Sequence, residues 1–283
     1  MTVFRASLIL INATIILIFS SCQKSKNNQE FYEWNLVWQD EFDYDSNKLS
    51  ENWNFEEGYG SNGWGNDEWQ YYTSENTTIE SGNLVITAKT QGKINKRDKS
   101  VTSSRLQTYQ KFDFKPGTKI IARIKLPWGQ GIWPAFWALG SNYSEVGWPS
   151  CGEIDILEMT GANPINHEKN YTIHSTCHWN DVNDPKNYKH AQHGKPLKLT
   201  KDFVNDYHLY EMIYQSDYIQ TKVDGKEIFK INTNVGKLKE PFNKAFFLIL
   251  NLAVGGHWPG NPSNKTIFPQ KMHVDYIRAY QKI

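Results

Sequence analysis

Several features are scarce in this 283-residue chain, and each scarcity excludes a class of protein. The 31 Lys and Arg are balanced by 30 Asp and Glu, a net charge of +1, so the chain lacks the broad basic surface that nucleic-acid binding requires. Only three cysteines occur, which is too few for a disulfide scaffold. Long helical periodicity is absent after residue 34, and this excludes a helical bundle.

Aromatic side chains, in contrast, are abundant. The chain contains 11 Trp, 15 Tyr and 14 Phe, and 39% of its residues are hydrophobic. This hydrophobic content supports a buried core and excludes a disordered chain. Because a buried indole needs a partner for its N–H, we expect many of the tryptophans at the surface. Exposed indoles suit a ligand with flat apolar faces, and sugars are the obvious class.

The N-terminal residues predict an export signal. Arg5 precedes an apolar run over residues 8–19 that only two polar residues interrupt. The run is too short to predict a membrane span and is typical of a secretory signal peptide. It ends in FSSC at residues 19–22, which resembles the lipobox of bacterial lipoproteins, where the cysteine receives lipid after cleavage. The alternative is an ordinary signal peptide cut near Ser21.

We therefore expect a signal peptide over residues 1–21, a lipidated Cys22 with a polar tether over residues 22–33, and one domain over residues 34–283. Such a protein would be an exported bacterial lipoprotein of the outer membrane, on its periplasmic side or at the cell surface, held by lipid without spanning the membrane. We expect a monomer. The two remaining cysteines are expected to be free thiols.

From residue 34 onward the sequence predicts strands. Short runs rich in Val, Ile, Thr and aromatics alternate with clusters of Gly, Pro, Asn and Asp. Residues 219–223 and 226–231, separated by Asp224 and Gly225, predict a tight hairpin. No break in composition divides the domain. The predicted fold class is therefore all-β, a sandwich of two antiparallel sheets.

Two motifs that could bind a ligand are set aside on geometry. GYGSNG at residues 58–63 matches the pattern GxGxxG, but no helix is predicted after it to bind a pyrophosphate. His174 and His178 have the spacing of a metal site on a helix. The surrounding YTIHSTCHW predicts a strand, however, on which the two residues lie roughly 13 Å apart.

The segment EIDILE at residues 153–158 carries three acids. Strict alternation places Glu153 and Asp155 on one face of a strand and drives Glu158 among the isoleucines of the other face. An unpaired carboxylate in the core costs on the order of several kcal/mol. A β-bulge around Ile156 and Leu157 returns all three acids to one face. The alternative is a solvated strand face.

Two carboxyl groups on one face suit glycoside hydrolysis. A separation of about 5–5.5 Å gives retention of configuration, and about 6.5–9.5 Å gives inversion. Glutamate side chains on a bulged, curved strand permit the shorter separation, and the pattern does not decide between the two.

These residues resemble a known family. EIDILE is similar to the E-x-D-x-x-E signature of glycoside hydrolase family sixteen in its bulged form, and the set as a whole is most similar to the endo-1,3-β-glucanases, or laminarinases. The resemblance implies a β-jelly-roll sandwich with a concave substrate cleft, so that residues 34–283 form a catalytic domain. The other matching segments, in chain order, are WQDEF at 38–42, WGNDEWQYY at 64–72, SRL at 104–106, GIWPAFW at 131–137, GWP at 147–149, NLAVGGHWPG at 251–260 and VDYIRAYQ at 274–281.

By position, the resemblance implies roles for the three acids. Glu153 would be the nucleophile, Glu158 the general acid and base, and Asp155 the neighbour that helps to set the proton affinity of the nucleophile. The implied reaction is retaining, endo-acting hydrolysis of 1,3-β-glucosidic bonds in a laminarin-like β-glucan polysaccharide. It proceeds by double displacement and needs no catalytic cofactor.

The resemblance also implies substrate contacts and a structural metal ion. Trp179 and Trp258 are further candidates for stacking on sugars. A structural calcium ion away from the cleft is implied, with ligands at Glu41, Gly82 and Asp275. The predicted substrate contacts are Asn66, Arg105, Trp133, Trp137, Trp148 and His178.

Other interpretations stay open. The same fold could act on mixed-linkage β-glucan or on a galactan such as agar or carrageenan, although a sulfated galactan favours a cleft rich in Lys and Arg. A non-catalytic, lipid-tethered glycan-binding protein is a second alternative, against which the three acids argue. A sugar acceptor could also intercept the covalent intermediate, which would make the protein a transglycosylase.

Overall fold

The computed structural model describes residues 33–183 and 187–283. The predicted signal peptide, the lipidation of Cys22 and nearly all of the tether lie outside the described residues. Glu33–Ile283 form one unit. Within the described part of the chain, none of the helices is long and apolar enough to cross a bilayer.

The described residues are dominated by strands. Two short α-helices, α1 (Leu49–Asn52) and α2 (Tyr143–Val146), lie between them, together with single turns of 3₁₀ or π helix at Ser46–Lys48, Gly63–Asp67, Ser74–Asn76, Glu168–Tyr171, Phe203–Asn205, Gly236–Leu238 and Pro241–Asn243. The strands are β1 (Trp34–Asp40), β2 (Asn54–Glu56), β3 (Tyr71–Tyr72), β4 (Thr77–Glu80), β5 (Asn83–Thr90), β6 (Val101–Ser103), β7 (Arg105–Gln107), β8 (Asp113–Phe114), β9 (Thr118–Lys125), β10 (Ile132–Gly140), β11 (Glu153–Glu158), β12 (Thr172–Asn180), β13 (His190–Lys198), β14 (His208–Tyr214), β15 (Tyr218–Val223), β16 (Lys226–Asn232), β17 (Phe246–Val254) and β18 (Gln270–Lys282).

The strands build two sheets, called here sheet A and sheet B. Sheet A has ten strands in the order β16-β15-β14-β9-β18-β5-β6-β3, with β1 paired to β18 and β4 paired to β5. Sheet B has eight strands in the order β13-β12-β11-β10-β17-β7-β2, with β8 paired to β17. Pairing is antiparallel except between β3 and β6. The predicted all-β sandwich of two antiparallel sheets is confirmed.

The main core lies between the sheets and draws on alternate residues of each strand. In β9, for example, Ile120, Ala122 and Ile124 are buried while their neighbours are half exposed. Strand β17, in sheet B, is buried along its whole length. One of its faces packs in the main core, and the other carries a second hydrophobic cluster that includes Phe247 and Ile249. A strand covered on both faces has no reason to alternate, which explains its continuous apolar sequence.

Two local predictions, the tight hairpin and the two free thiols, are confirmed. Asp224 and Gly225 join β15 to β16 with φ angles of 48° and 75°, and two consecutive positive φ angles define the tight turn that matches the twist of a hairpin. Cys151 and Cys177 are buried free thiols.

Candidate active site

A β-bulge in β11 brings the three acids onto one face. In the pairing with β10, Phe136 lies opposite Leu157 and the next residue, Trp137, lies opposite Asp155, so Ile156 is the extra residue. Ile156 and Leu157 both pack in the main core. The side chain of Glu158 is therefore turned back to the face of Glu153 and Asp155, and the predicted bulge is confirmed.

Each glutamate accepts a hydrogen bond from an indole. The Nε1–H of Trp148 donates to Oε2 of Glu153 at 3.0 Å, and the Nε1–H of Trp133 donates to Oε1 of Glu158 at 3.1 Å. Two of the predicted aromatic residues thus contact the acids directly.

His178 contacts the other side of the acid cluster. Strand pairing places it opposite Glu153, and its Nε2 atom lies 3.1 Å from Oδ2 of Asp155 and 3.6 Å from Oε1 of Glu153. The prediction that His178 shares the face of the acids is confirmed. The donor atoms of Glu153, Asp155 and His178 lie within 4.8 Å of one another. Their position beside Glu158 fits acid–base chemistry, and we assign no metal to them.

Burial and crowding shift the titration of the acids. Burial, with the charge of Asp155 next, raises the pKa of Glu153 to about 7, although His178 and the Trp148 indole oppose the shift. Burial also raises the pKa of Asp155. The pKa of Glu158 is raised well above its ordinary value by burial first and then by both neighbouring acids. The site can therefore keep one carboxyl protonated and another ionised near neutral pH, which is what acid-assisted displacement requires.

Arg105 lies between two indoles, that of Trp64 in the turn Gly63–Asp67 and that of Trp137 in β10. Its guanidinium carbon is 4.7 Å from the ring centre of Trp64 and 4.9 Å from that of Trp137. The Nε of Arg105 is paired with Glu56, on the neighbouring strand β2. Arg105 is thus held by stacking and by charge, and its field lowers the pKa of Glu153.

A chain of hydrogen bonds connects the predicted contacts Trp137 and Asn66. The Trp137 indole donates to Oδ1 of Asn251 at 2.7 Å, the Asn251 amide donates to the Tyr72 hydroxyl at 3.2 Å, and that hydroxyl donates to Oε2 of Glu68 at 3.2 Å. The Asn66 amide donates to Oε1 of Glu68 at 3.1 Å. The network holds the side chains of Trp137 and Asn66 in place.

Tyr72, Glu68 and Asn251 were not predicted as site residues. All three lie in segments quoted for the family resemblance, and that is the signal that could have found them. What single-sequence reasoning could not supply is their convergence, since Glu68 and Asn251 are separated by most of the chain.

At the Glu158 end, three aromatic rings meet. The Trp133 and Trp258 rings are 5.4 Å apart and nearly perpendicular, and the His174 ring is 5.0 Å from that of Trp258. Trp258 is 42% exposed, so its ring is available to a ligand. His174, set aside above as a metal ligand, lies opposite Glu158 in the β11–β12 pairing and belongs to this end of the site.

The prediction that Trp179 stacks on sugars is wrong. Its side chain is only 8% exposed and packs in the main core. It follows His178 on a strand, and alternation points neighbouring side chains to opposite faces.

The residues predicted as calcium ligands lie away from the acids and have other partners. Glu41 accepts from Nε and Nη2 of Arg278 at 2.6 and 2.8 Å, and Asp275 accepts from Nη1 of Arg123 at 2.7 Å. Gly82 is in the turn between β4 and β5. The set does not fit a cation as it stands, because each carboxylate is already neutralised by a guanidinium group. Calcium could bind there only by displacing both guanidinium groups.

Comparison with known proteins identifies the family. Residues 64–278 match Glycosyl hydrolases family 16. The chain belongs to this family. Its fold is accordingly the β-jelly roll implied by the sequence.

Several similar proteins match most of this chain. The solved structure of an endo-β-1,3-glucanase from Pyrococcus furiosus is 42% identical, with a TM-score of 0.76, over 90% of this chain and 97% of that chain. A beta-glucanase of Rhodothermus marinus is 33% identical over 94% of this chain and 92% of its own length. The clotting factor G alpha subunit of Tachypleus tridentatus is 39% identical over 88% of this chain, which spans only 34% of that larger protein.

Proposed function

We propose that this protein is a retaining, endo-acting glucanase that hydrolyses 1,3-β-glucosidic bonds in laminarin-like polysaccharides. The observation that carries the proposal is the bulge at Ile156, which places Glu153 and Glu158 on one face of a family 16 domain. The name of the similar endo-β-1,3-glucanase supports the choice of linkage.

In the proposed reaction, the two glutamates act in two displacements. Protonated Glu158 donates its proton to the glycosidic oxygen as the carboxylate of Glu153 attacks the anomeric carbon. The bond to the leaving sugar breaks and a glycosyl ester forms on Glu153. Ionised Glu158 then removes a proton from water, the water attacks the anomeric carbon, and Glu153 leaves as a carboxylate. Two inversions give net retention.

The surroundings of each glutamate support these roles. Glu153 has the indole N–H of Trp148 and the nearby imidazole of His178, and both stabilise an ionised nucleophile. Burial, and then the charges of the two other acids, raise the pKa of Glu158 and so favour the proton that a general acid must carry. Asp155 lies between them and couples their titration.

The aromatic residues support a glucan as substrate. The exposed faces of Trp148 and Trp258, 43% and 42% accessible, flank the two glutamates and suit stacking on pyranose rings. Arg105 is already paired with Glu56, which disfavours a role in binding sulfate groups. We therefore prefer a neutral glucan to a sulfated galactan.

The test is hydrolysis of purified polysaccharides by the purified protein. We expect release of short oligosaccharides from laminarin, with the β-anomer formed first in ¹H NMR spectra. Glu153→Gln and Glu158→Gln should each lower turnover by about 10³-fold or more, whereas Glu227→Gln, on the exposed strand β16, should leave it unchanged. Preferential cleavage of mixed-linkage glucan, agar or carrageenan would replace the substrate, and near-normal activity of either active-site variant would refute the assigned roles.

We further propose that the protein is an exported lipoprotein of the outer membrane, anchored through Cys22, and that it acts as a monomer. The apolar run before FSSC supports the anchor.

A further inference from the structure

A second histidine, His190, lies beside His178 on the neighbouring strand β13. In the β12–β13 pairing, His178 is opposite Gln192 and Asn180 is opposite His190, so the two histidines are diagonal neighbours on one face of the sheet. Nδ1 of His178 and Nε2 of His190 are 2.8 Å apart, and the two rings are inclined by only 15°. This is the geometry of an N–H···N hydrogen bond in the plane of both rings.

Trp148 connects the same histidine to the nucleophile. Its indole ring lies 4.8 Å from the His190 ring and 6.4 Å from the His178 ring, while its N–H donates to Glu153. His190 therefore packs against Trp148, which contacts Glu153. It also hydrogen-bonds to His178, which contacts both acids.

Given the proposed function, we propose that His190 is a positioning residue that keeps a proton on Nε2 of His178, so that an N–H is always presented to Asp155 and Glu153. His190 itself does not touch the acids; it acts through His178.

The proton count supports this arrangement. When His178 is a cation, both of its nitrogens carry protons, and Nδ1–H donates to Nε2 of a neutral His190. When His178 is neutral, His190 can instead donate its Nε2–H to Nδ1, which leaves the His178 proton on Nε2. The remaining tautomer would direct a bare nitrogen lone pair at the carboxylates and is disfavoured by repulsion.

Charges from several elements act on this pair. His178 lowers the pKa of Glu153 and of Glu158 on β11, and Arg105 on β7 also lowers that of Glu153. Asp155, also on β11, lies 3.1 Å from Nε2 of His178. Next to Trp148, the Tyr188 ring lies 6.3 Å away. Burial, and then the charge of His178, lower the pKa of His190, which favours the neutral form of His190.

The consequence for the reaction is a fixed donor beside the nucleophile. An N–H held against Glu153 and Asp155 favours their ionised forms. Without His190, the His178 ring loses its in-plane partner and its N–H is no longer held against Glu153, so the pKa of Glu153 should rise.

The test is the pH dependence of laminarin hydrolysis by four proteins: wild type, His190→Phe, His190→Gln and His193→Phe. His193 is an exposed histidine on the same strand that packs near Phe229 and serves as the matched control. For His190→Phe we expect kcat to fall about tenfold with KM changed less than about twofold. The acid limb of the kcat/KM profile should move to higher pH by about half a unit. His190→Gln, whose amide can both donate and accept, should restore most of both effects.

Three outcomes would overturn the proposal. They are a His190→Phe profile that superimposes on the wild type, a loss confined to KM, which would make His190 a sugar contact, and a His190→Gln variant no better than His190→Phe. Thermal unfolding of each variant checks that the fold is intact. Failure of the wild type and of His193→Phe to cleave laminarin would instead refute the proposed function, so the two failures are distinguishable.

Discussion

At the residue scale, the two glutamates differ in their neighbours although both are partly buried. An indole N–H and His178 favour the charge of each glutamate, but one acid, Asp155, opposes the charge of Glu153, whereas two acids oppose the charge of Glu158. Environments that push two pKa values apart define which group is the acid and which is the nucleophile.

The first prediction concerns the pH profile and Trp148. Glu153 must be ionised to attack, and burial raises its pKa to about 7, so activity should fall as the pH drops below neutrality rather than below 4.5. Trp148→Phe keeps an aromatic face but removes the N–H that lowers this pKa. We expect its acid limb at higher pH and kcat reduced about tenfold. The pH profiles of kcat and kcat/KM on laminarin, compared between the two proteins, measure the shift of the acid limb and the loss of kcat. An unshifted limb would contradict the assignment of Glu153 as the nucleophile.

The second prediction concerns stability. A carboxyl whose pKa is raised on folding binds its proton more tightly in the native state, so its contribution to stability is present at low pH and is lost as pH rises through the native pKa. Glu158→Gln removes this loss and keeps an acceptor for the Trp133 indole. We expect its melting temperature to exceed that of the wild type by about 3–8 °C at pH 8. The difference should nearly vanish at pH 4, where the wild-type acid is protonated.

Differential scanning calorimetry at the two pH values measures this difference. A Glu158→Gln variant that is less stable than the wild type at pH 8 would show that the charged form is well accommodated, contrary to the direction of the pKa shift.

At the element scale, one extra residue in β11, Ile156, places Glu158 on the same face of sheet B as the two other acids. The bulge keeps Ile154, Ile156 and Leu157 in the core and Glu158 outside it. On the other sheet, strand β18 and the end of β1 are joined by an arginine–carboxylate pair, Arg278 with Glu41, at a position where the family resemblance implies calcium.

The third prediction follows from that pair. Because Glu41 and Asp275 are already neutralised by arginines, removal of divalent cations should leave the melting temperature unchanged within about 1 °C. The measurement compares thermal unfolding in EDTA with unfolding in millimolar calcium. A fall of several degrees in EDTA, reversed by calcium, would show that the ion displaces the guanidinium groups and stabilises the fold.

At the scale of the whole molecule, the described domain holds every predicted substrate and acid residue, while the predicted anchor lies in the preceding segment. Catalysis and attachment should therefore be separable.

The fourth prediction tests that separation in a bacterial host. Cys22→Ala should abolish incorporation of labelled palmitate and move the protein from the detergent phase to the aqueous phase, because the anchoring thiol is lost. Its kcat on laminarin should equal that of the wild type. An aqueous, unlabelled wild-type protein would favour the ordinary signal peptide, and a lower kcat for the variant would contradict the separation.

The sequence by itself determined the strands, the hairpin turn, the face shared by Glu153, Asp155 and Glu158, and the family. These features depend on alternation, turn chemistry and motif order, which are local along the chain. The need to keep a carboxylate out of the core was enough to predict the bulge.

Only the tertiary structure decided which distant residues meet. It placed Arg105 between Trp64 and Trp137, and it gave Glu41 and Asp275 arginine partners. It also set His190 against His178. Contacts of this kind depend on strand order and register across the whole sandwich, and no periodicity within a single segment encodes them.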